Sequence, residues 1–429
     1  MLLTVALTAL ISALVCWKLF RTIFNPVTLF CASIAVTVAI ACLVDSYSEL
    51  NLVHGKFRVS SEPVAFVYGL GLTVFLIPWL PYRKQLFSFD RSCSSVIDIS
   101  NFKAWTFFWA SITLLTVIWI VSVLGGIPIV RMIFDGHTIV NHIEGLPNLP
   151  IGLMTAYLAP ATILCLHLAS ISVFKKQYKL HFNELGLLVS LVVFAATFQG
   201  NRQLILIAVF FVVARVQLSK VGFSVGSLRV YIRDAVKYTV IIALFIASFI
   251  IISVVRHPGS VDIQWFEMLG YFSWPVFNVA AILEAGYFNI SDTPHFVLSE
   301  IIPQRLLDSD HRLELKSVLF EPTSPSGYLA YWFIDFGYVG ISIGAFLLSG
   351  ICRLAHQWRN RSEFNMRVYI LCLWCCATAG IYSHFITINY FWIPLLLLYF
   401  ENGFSRRQRY VCHVTKRRKG ITTFLPISN

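Results

Sequence analysis

"LGLLVSLVVFAATFQGNRQLILIAVFFVVAR", residues 185–215, carries one charged side chain, Arg202, before Arg215 closes it. Its two apolar arms, 185–199 and 203–214, flank a Gly-Asn-Arg-Gln turn. A chain folding in water has no use for so long a stretch without a polar face. Lipid does, because a hydrocarbon core of ~30 Å is crossed by ~20 apolar residues in a helix. The arms are short by that measure, so they read either as two crossings or as one hairpin of tilted, interrupted helices.

The rest of the chain follows the same rule. Of its 429 residues 57% are hydrophobic, 15% aromatic and only 13% charged, with a mean hydropathy of +0.74. That balance excludes a soluble domain and predicts an all-α polytopic membrane protein. Apolar stretches lie at 2–17, 27–44, 63–80, 104–124, 151–174, 185–199, 203–214, 238–255, 327–352, 368–383 and 385–400. They predict about 11 transmembrane helices, between 10 and 12 depending on how the short pairs 185–199/203–214 and 368–383/385–400 are counted. The first has no basic residue before it and no small-residue cleavage site after it, and so reads as a helix rather than a signal peptide.

Alternation of these spans sorts the basic residues. One set of connections holds 25 of the 33 Lys and Arg, and the other holds eight: Lys56, Arg58, Arg131, Arg202, Arg256, Arg305, Arg312 and Lys316. Cytoplasmic loops retain Lys and Arg, which predicts the N-terminus outside and the C-terminus inside. The net charge of +12 then needs no nucleic acid, since a basic tail at 404–429 is accounted for by anionic lipid. The ten cysteines fall in spans or on the cytoplasmic side, so no disulfide framework is expected. "CLWCC" at 372–376 has metal-like spacing inside an apolar helix without a His or acidic neighbour, and reads as buried structural cysteine.

Four regions follow. Residues 1–255 form N-terminal transmembrane helices with a small external loop at 125–150. Residues 256–326 form one large external loop with helical stretches expected near 275–286 and 296–307. Residues 327–403 form C-terminal transmembrane helices, and 404–429 the cytoplasmic tail. The large loop holds nine of the 21 acidic residues, and loops of that length are usually functional.

Three stretches carry a resemblance. "GGIPIVRMIFDG" follows the fourth span, "GNRQLILI" sits at an external turn, and "EPTSPSGYLAYWFIDFGYVGISIGAFLLSGI" closes the large loop. Together they resemble the bacterial O-antigen polymerases of the Wzy type, which polymerise oligosaccharide repeat units. The resemblance implies a GT-C-like architecture and a multi-pass protein of the bacterial inner membrane with its site on the periplasmic face. It also implies a substrate carried on polyprenyl diphosphate and no cofactor. Its partners would be the lipid-linked oligosaccharide and the membrane, with a chain-length regulator and a flippase of the same pathway. A ligase that attaches finished glycan, or a flippase for the same lipid-linked oligosaccharide, are the alternatives.

Such a reaction needs cations for a departing diphosphate and a base for the acceptor hydroxyl. Arginine suits the first, since its planar fork stays ionised and grips phosphate through two hydrogen bonds. Arg202 either snorkels to the interface as a helix-end anchor or faces the diphosphate; with Arg256, His257, Glu300 and Arg305 it forms the candidate catalytic set. Arg131, Arg312 and Glu321 are candidate substrate ligands from the loops, and Glu300 and Glu321 are equally able to pair with nearby arginines. Tyr328, Tyr331 and Trp332 read either as an interfacial aromatic belt or as a stacking platform for sugars. Asp335, about two turns into an expected span, is costly there unless it faces a polar cavity or a partner. "DSD" at 308–310 is the sort of triplet that arises by chance, and no metal is expected.

Overall fold

A computed structural model describes residues 1–20, 22–46, 62–84, 99–124, 126, 153–178, 191, 202–220, 261–286, 327–382 and 388–404. Helix is the only regular structure among them. Ten helices are labelled here in chain order: α1 (Leu2–Phe20), α2 (Pro26–Ser46), α3 (Glu62–Leu76, continued as a 3-10 turn to Lys84), α4 (Ile99–Leu124) and α5 (Leu153–Tyr178) come first. α6 (Arg202–Lys220), α7 (Val261–Ala285), α8 (Tyr328–Trp358), α9 (Glu363–Thr378) and α10 (388–404, opening as a π turn over Ile388–Trp392) follow. Five of the described helices are long and apolar enough to cross a membrane, in α1, α2, α3, α4 and α8. The chain is a helical membrane protein.

Local sequence explains where helices begin. Asn25 caps α2, its Oδ1 accepting from the Thr28 N–H at 2.8 Å, and Pro26 takes the first helical position, where no N–H is needed. Ser362 caps α9 by accepting from the Asn365 N–H at 3.1 Å. Which face packs is set by size rather than by polarity. On α1 the buried residues are Leu2, Ala6, Ala9 and Ala13, while Leu3, Leu7, Leu10, Ile11 and Leu14 are exposed. Small residues let backbones approach and large apolar ones face lipid, the arrangement expected where water supplies no drive between helices.

α1 and α2 form an antiparallel pair; α2 also takes α7 and α9 against it, α8 lies along α3, and α5 lies between α4 and α6. Several boundaries differ from those expected, for one reason. α6 continues past 214 through Arg215, α9 begins at Glu363 rather than 368, and α10 continues past 400 through Glu401. A charge marks the end of a hydropathy run, but a charge with a partner inside the protein does not end a helix.

α7 is longer than the helical stretch expected near 275–286, and Val276, Phe277, Val279, Ala280, Ala281 and Ile282 are at most 2% exposed. It packs on α2, α3 and α8. The expected spans 185–199 and 238–255, the loop 125–150, the stretch 296–307 and the tail lie outside the described residues, apart from Leu191, Gly126 and the first residue of the tail.

α8 departs most from expectation. Gly337, within it, has φ +59° and ψ −145°, a conformation that only glycine takes without strain. The Tyr328 hydroxyl donates to the Gly344 carbonyl at 2.7 Å. In a continuous helix those residues would stand about 24 Å apart along the axis. The chain therefore reverses at Gly337, and 328–336 runs back against 338–358. Trp332 confirms the reversal, since a Cβ added to Gly340 would meet its carbonyl oxygen and one added to Gly344 would meet its indole ring. Only 338–358 has the direction and length of a crossing; 328–336 is the short arm of a hairpin.

Candidate functional site

Polar groups gather at the two ends of α9. Near its start, Arg367 Nη1 donates to Glu401 Oε1 of α10 at 2.7 Å, and Glu401 Oε2 lies 3.0 Å from His167 Nε2 of α5. The indole N–H of Trp109 on α4 donates to the same Oε2 at 3.2 Å. Glu363, one turn before Arg367, accepts from Arg215 Nη2 of α6 at 2.8 Å and from the Ser170 hydroxyl of α5. Arg367 Cζ stands 4.8 Å from the Phe102 ring centre, and Phe102 also stacks on His167. The five ionisable groups come from four helices, and each side chain is at most 11% exposed where its ion pair is described.

His167 Nε2 also lies 3.2 Å from Arg367 Nη1, and its Nδ1 lies 2.8 Å from the Thr106 hydroxyl, which donates to the Phe102 carbonyl at 2.9 Å. The two carboxylates face the two guanidinium groups. Such a network removes its charges from an apolar bundle without leaving one unpaired, which is the condition for tolerating buried ions at all. All the helix ends that meet here were assigned to one side by the alternation of spans, so the network agrees with that alternation. A second set of bonds sits toward the same end. Trp79 Nε1 donates to the Ser349 hydroxyl at 2.9 Å, and Tyr369 donates to the Phe24 carbonyl at 3.2 Å while lying 3.0 Å from His356 Nδ1.

The other end of α9 meets the hairpin. The Tyr328 N–H donates to the Ala379 carbonyl at 2.8 Å, and the Gly380 N–H donates to the Ser33 hydroxyl of α2 at 2.8 Å. Gly327 and Gly380 approach so closely that a Cβ on Gly327 would stand 2.6 Å from the Gly380 carbonyl oxygen. Leu329 fills the place that a side chain on Gly71 of α3 would need.

Of the candidate residues, Tyr328, Tyr331, Trp332 and Asp335 are brought together on the hairpin's short arm. Their setting corrects the expected one. Tyr328 does not start a helix at the membrane surface: it lies at the deep end of the arm, 1% exposed, its hydroxyl used by Gly344. The reversal at Gly337 turns the arm over, so residue 336 rather than 328 is nearest the tip. Asp335 is accordingly not two turns down a through-going span but beside the reversal, 5% exposed. Trp332 is half-buried, its ring 6.3 Å from Tyr328 and 6.0 Å from Phe336.

Arg202 is the first residue of α6, and its side chain lies outside the described residues. Arg131, Arg256, His257, Glu300, Arg305, Arg312 and Glu321 also lie outside them. Of the cysteines in "CLWCC", Cys376 has its thiol 3.4 Å from that of Cys352, and all three are buried.

The network residues were missed by the sequence reading, which counted Arg215 and Arg367 as topology anchors and passed over His167. The Glu363/Arg367 spacing of one helical turn and a lone histidine inside the apolar run 158–174 were the available signals. Comparison with family models, with curated proteins and with solved structures gives no match.

Proposed function

We propose that this protein polymerises oligosaccharide repeat units carried on polyprenyl diphosphate, at the periplasmic face of a bacterial inner membrane. The observation that carries the reading is the hairpin. "EPTSPSGYLAYWFIDFGYVG", the most distinctive of the stretches resembling O-antigen polymerases, holds an aromatic helix arm and a nearly buried carboxylate, at the end of α9 away from the charged network. By the charge count that end is the external one, where glycan donors are lipid diphosphates because no nucleotide-sugar pool exists outside the cytoplasm.

In the proposed reaction a hydroxyl of the incoming repeat unit attacks the anomeric carbon of the growing chain. The bond from that carbon to the diphosphate oxygen breaks, and the diphosphate leaves with the electron pair. A base takes the hydroxyl proton, a role for which His257, Glu300 and Asp335 have the chemistry. Arg202 is the first candidate to hold the departing diphosphate, with Arg131, Arg256, Arg305 and Arg312 as further cations. With arginines stabilising the leaving group, polymerisation in vitro is expected to proceed in excess chelator; strict dependence on an added divalent ion would overturn that part.

The test of the whole is the surface glycan. Deleting the gene should leave a single repeat unit on the lipid core, whereas complete absence of capped core would favour a ligase or a flippase. Arg202→Ala should abolish chain extension at normal protein level, and wild-type chain length in that variant would remove Arg202 from the site. A transporter reading draws on the buried network, since ionisable groups inside membrane helices often mark a transport path. The pairing of every carboxylate there with an arginine supports a structural clamp instead.

A further inference from the structure

Two arginines at the charged end of the bundle take no part in its network. Arg359 and Arg361 stand in the turn that joins α8 to α9, and among the described residues neither makes an ion pair. Arg361 Cζ lies 5.8 Å from the Trp358 ring centre, and the Arg361 backbone N–H donates to the Trp358 carbonyl at 2.9 Å. Arg359 Cζ lies 5.7 Å from the Tyr369 ring centre, and its Nη1 donates to the His356 carbonyl. An aromatic face attracts a guanidinium and fixes its position. It does not neutralise the charge.

The helix that leads to these arginines faces lipid along one side. At 1.5 Å per residue, 338–358 rises about 31 Å, one hydrocarbon thickness. Trp358 therefore stands where the crossing ends and headgroups begin, the level at which tryptophan is enriched. Val339, Ile343, Leu347, Leu354 and Trp358 are 44–66% exposed and share one side of the helix. Gly350 belongs to the same stripe, and a Cβ added there would meet nothing within 4 Å. An acyl chain lying along the stripe passes the open space at Gly350 and ends at Trp358, where Arg361 lies over the ring.

We propose that the turn between α8 and α9 binds the phosphate of an anionic phospholipid, with Arg361 and Arg359 as its cations and the stripe from Val339 to Trp358 as the seat of an acyl chain. A guanidinium grips phosphate oxygens through a fixed fork of N–H groups, and Arg359 keeps donors beyond the one given to His356. The two positive charges select an anionic headgroup over a zwitterionic one. Glu363, the carboxylate nearest in sequence, is taken by Arg215 and Ser170. By the charge count this end is the cytoplasmic one, where anionic lipids attract basic segments. The site lies at the opposite end of α9 from the hairpin and does not depend on the polymerase reading.

The probes are phosphatidylglycerol and phosphatidylcholine with the same acyl chains, titrated into the full-length protein in detergent and read by native mass spectrometry. The wild type should prefer phosphatidylglycerol. Arg361→Gln should weaken its binding about fivefold. Trp358→Leu keeps every charge but removes the ring under Arg361, and should weaken it about two- to fivefold. Lys18→Gln removes an exposed charge at the same end of the bundle and should change it less than about twofold. None of the three should alter phosphatidylcholine binding. Equal affinity of the wild type for both lipids would overturn the proposal. So would a Lys18→Gln effect as large as that of Arg361→Gln, or no effect of Trp358→Leu, since either describes diffuse surface charge rather than a site. Competition by glycerol phosphate at the same concentration would assign the turn to a soluble ligand and overturn the lipid. Should a variant fail to fold, Arg361→Lys keeps the charge and loses the fork: it should weaken binding more than Lys18→Gln does, and wild-type binding would remove Arg361 from the site.

Discussion

At one end of α9 five ionisable groups satisfy one another; at the other, glycines bring backbones into contact. Both ends bury polar atoms among apolar helices, yet they solve the problem in opposite ways. The network pairs each of its carboxylates with an arginine. The hairpin end holds its shape by close approach of glycine backbone.

The contrast is sharpest in what each end tolerates. Arg367→Leu would leave the Glu401 and Glu363 carboxylates short of a counter-charge at sites 9% and 11% exposed. The expected loss is about 3–5 kcal/mol of stability, read as thermal unfolding of the purified protein in detergent. The double variant Arg367→Leu/Glu401→Leu should lose less than the sum of its two single variants. A loss near zero in Arg367→Leu would mean that the network is not a clamp and would bring the transport reading forward.

At the hairpin end the next largest effect is steric. Gly344→Val should cost about 1–3 kcal/mol and pull Trp332 out of its seat, which its fluorescence would report in a protein whose other tryptophans are replaced. Gly337→Ala should cost a similar ~1–3 kcal/mol, because the reversal requires φ +59°. If both substitutions were silent, 328–336 would not be folded back on 338–358. The smallest effect belongs to a single hydrogen bond: Tyr328→Phe should lose about 1 kcal/mol, and a gain in stability would show that Gly344 is not its acceptor.

How far this architecture could be read from residues varies along the chain. α1 to α3 were legible because their apolar runs are long and Asn25-Pro26 announces the start of α2, whereas α4 begins at Ile99, five residues before the expected 104 and ahead of Lys103. α6, α9 and α10 were misjudged at their ends by up to six residues because Arg215, Glu363, Arg367 and Glu401 look like loop residues until their partners are known. α8 was legible as apolar but not as reversed. Glycine at 337, 340 and 344 is equally compatible with close packing of a straight helix, and only the Gly337 backbone and the contacts of Tyr328 and Trp332 with Gly340 and Gly344 distinguish the two. Of the candidate site, Tyr328, Tyr331, Trp332 and Asp335 were identified but placed on the wrong arm geometry.

Local chemistry by itself determined that this chain lives in lipid and is helical, because composition and run length set the solvent and a membrane admits few backbone structures. Alternation also agrees with the meeting of the helix ends that carry His167, Arg215, Glu363, Arg367 and Glu401. Only tertiary structure decided that His167, Arg215, Glu363, Arg367 and Glu401 are one network, that α8 folds back at Gly337, and that Thr37 faces Gly380. Those are pairings between residues as far as 343 positions apart in the chain, and hydrogen-bond satisfaction depends on what stands opposite a group, not on its neighbours in sequence.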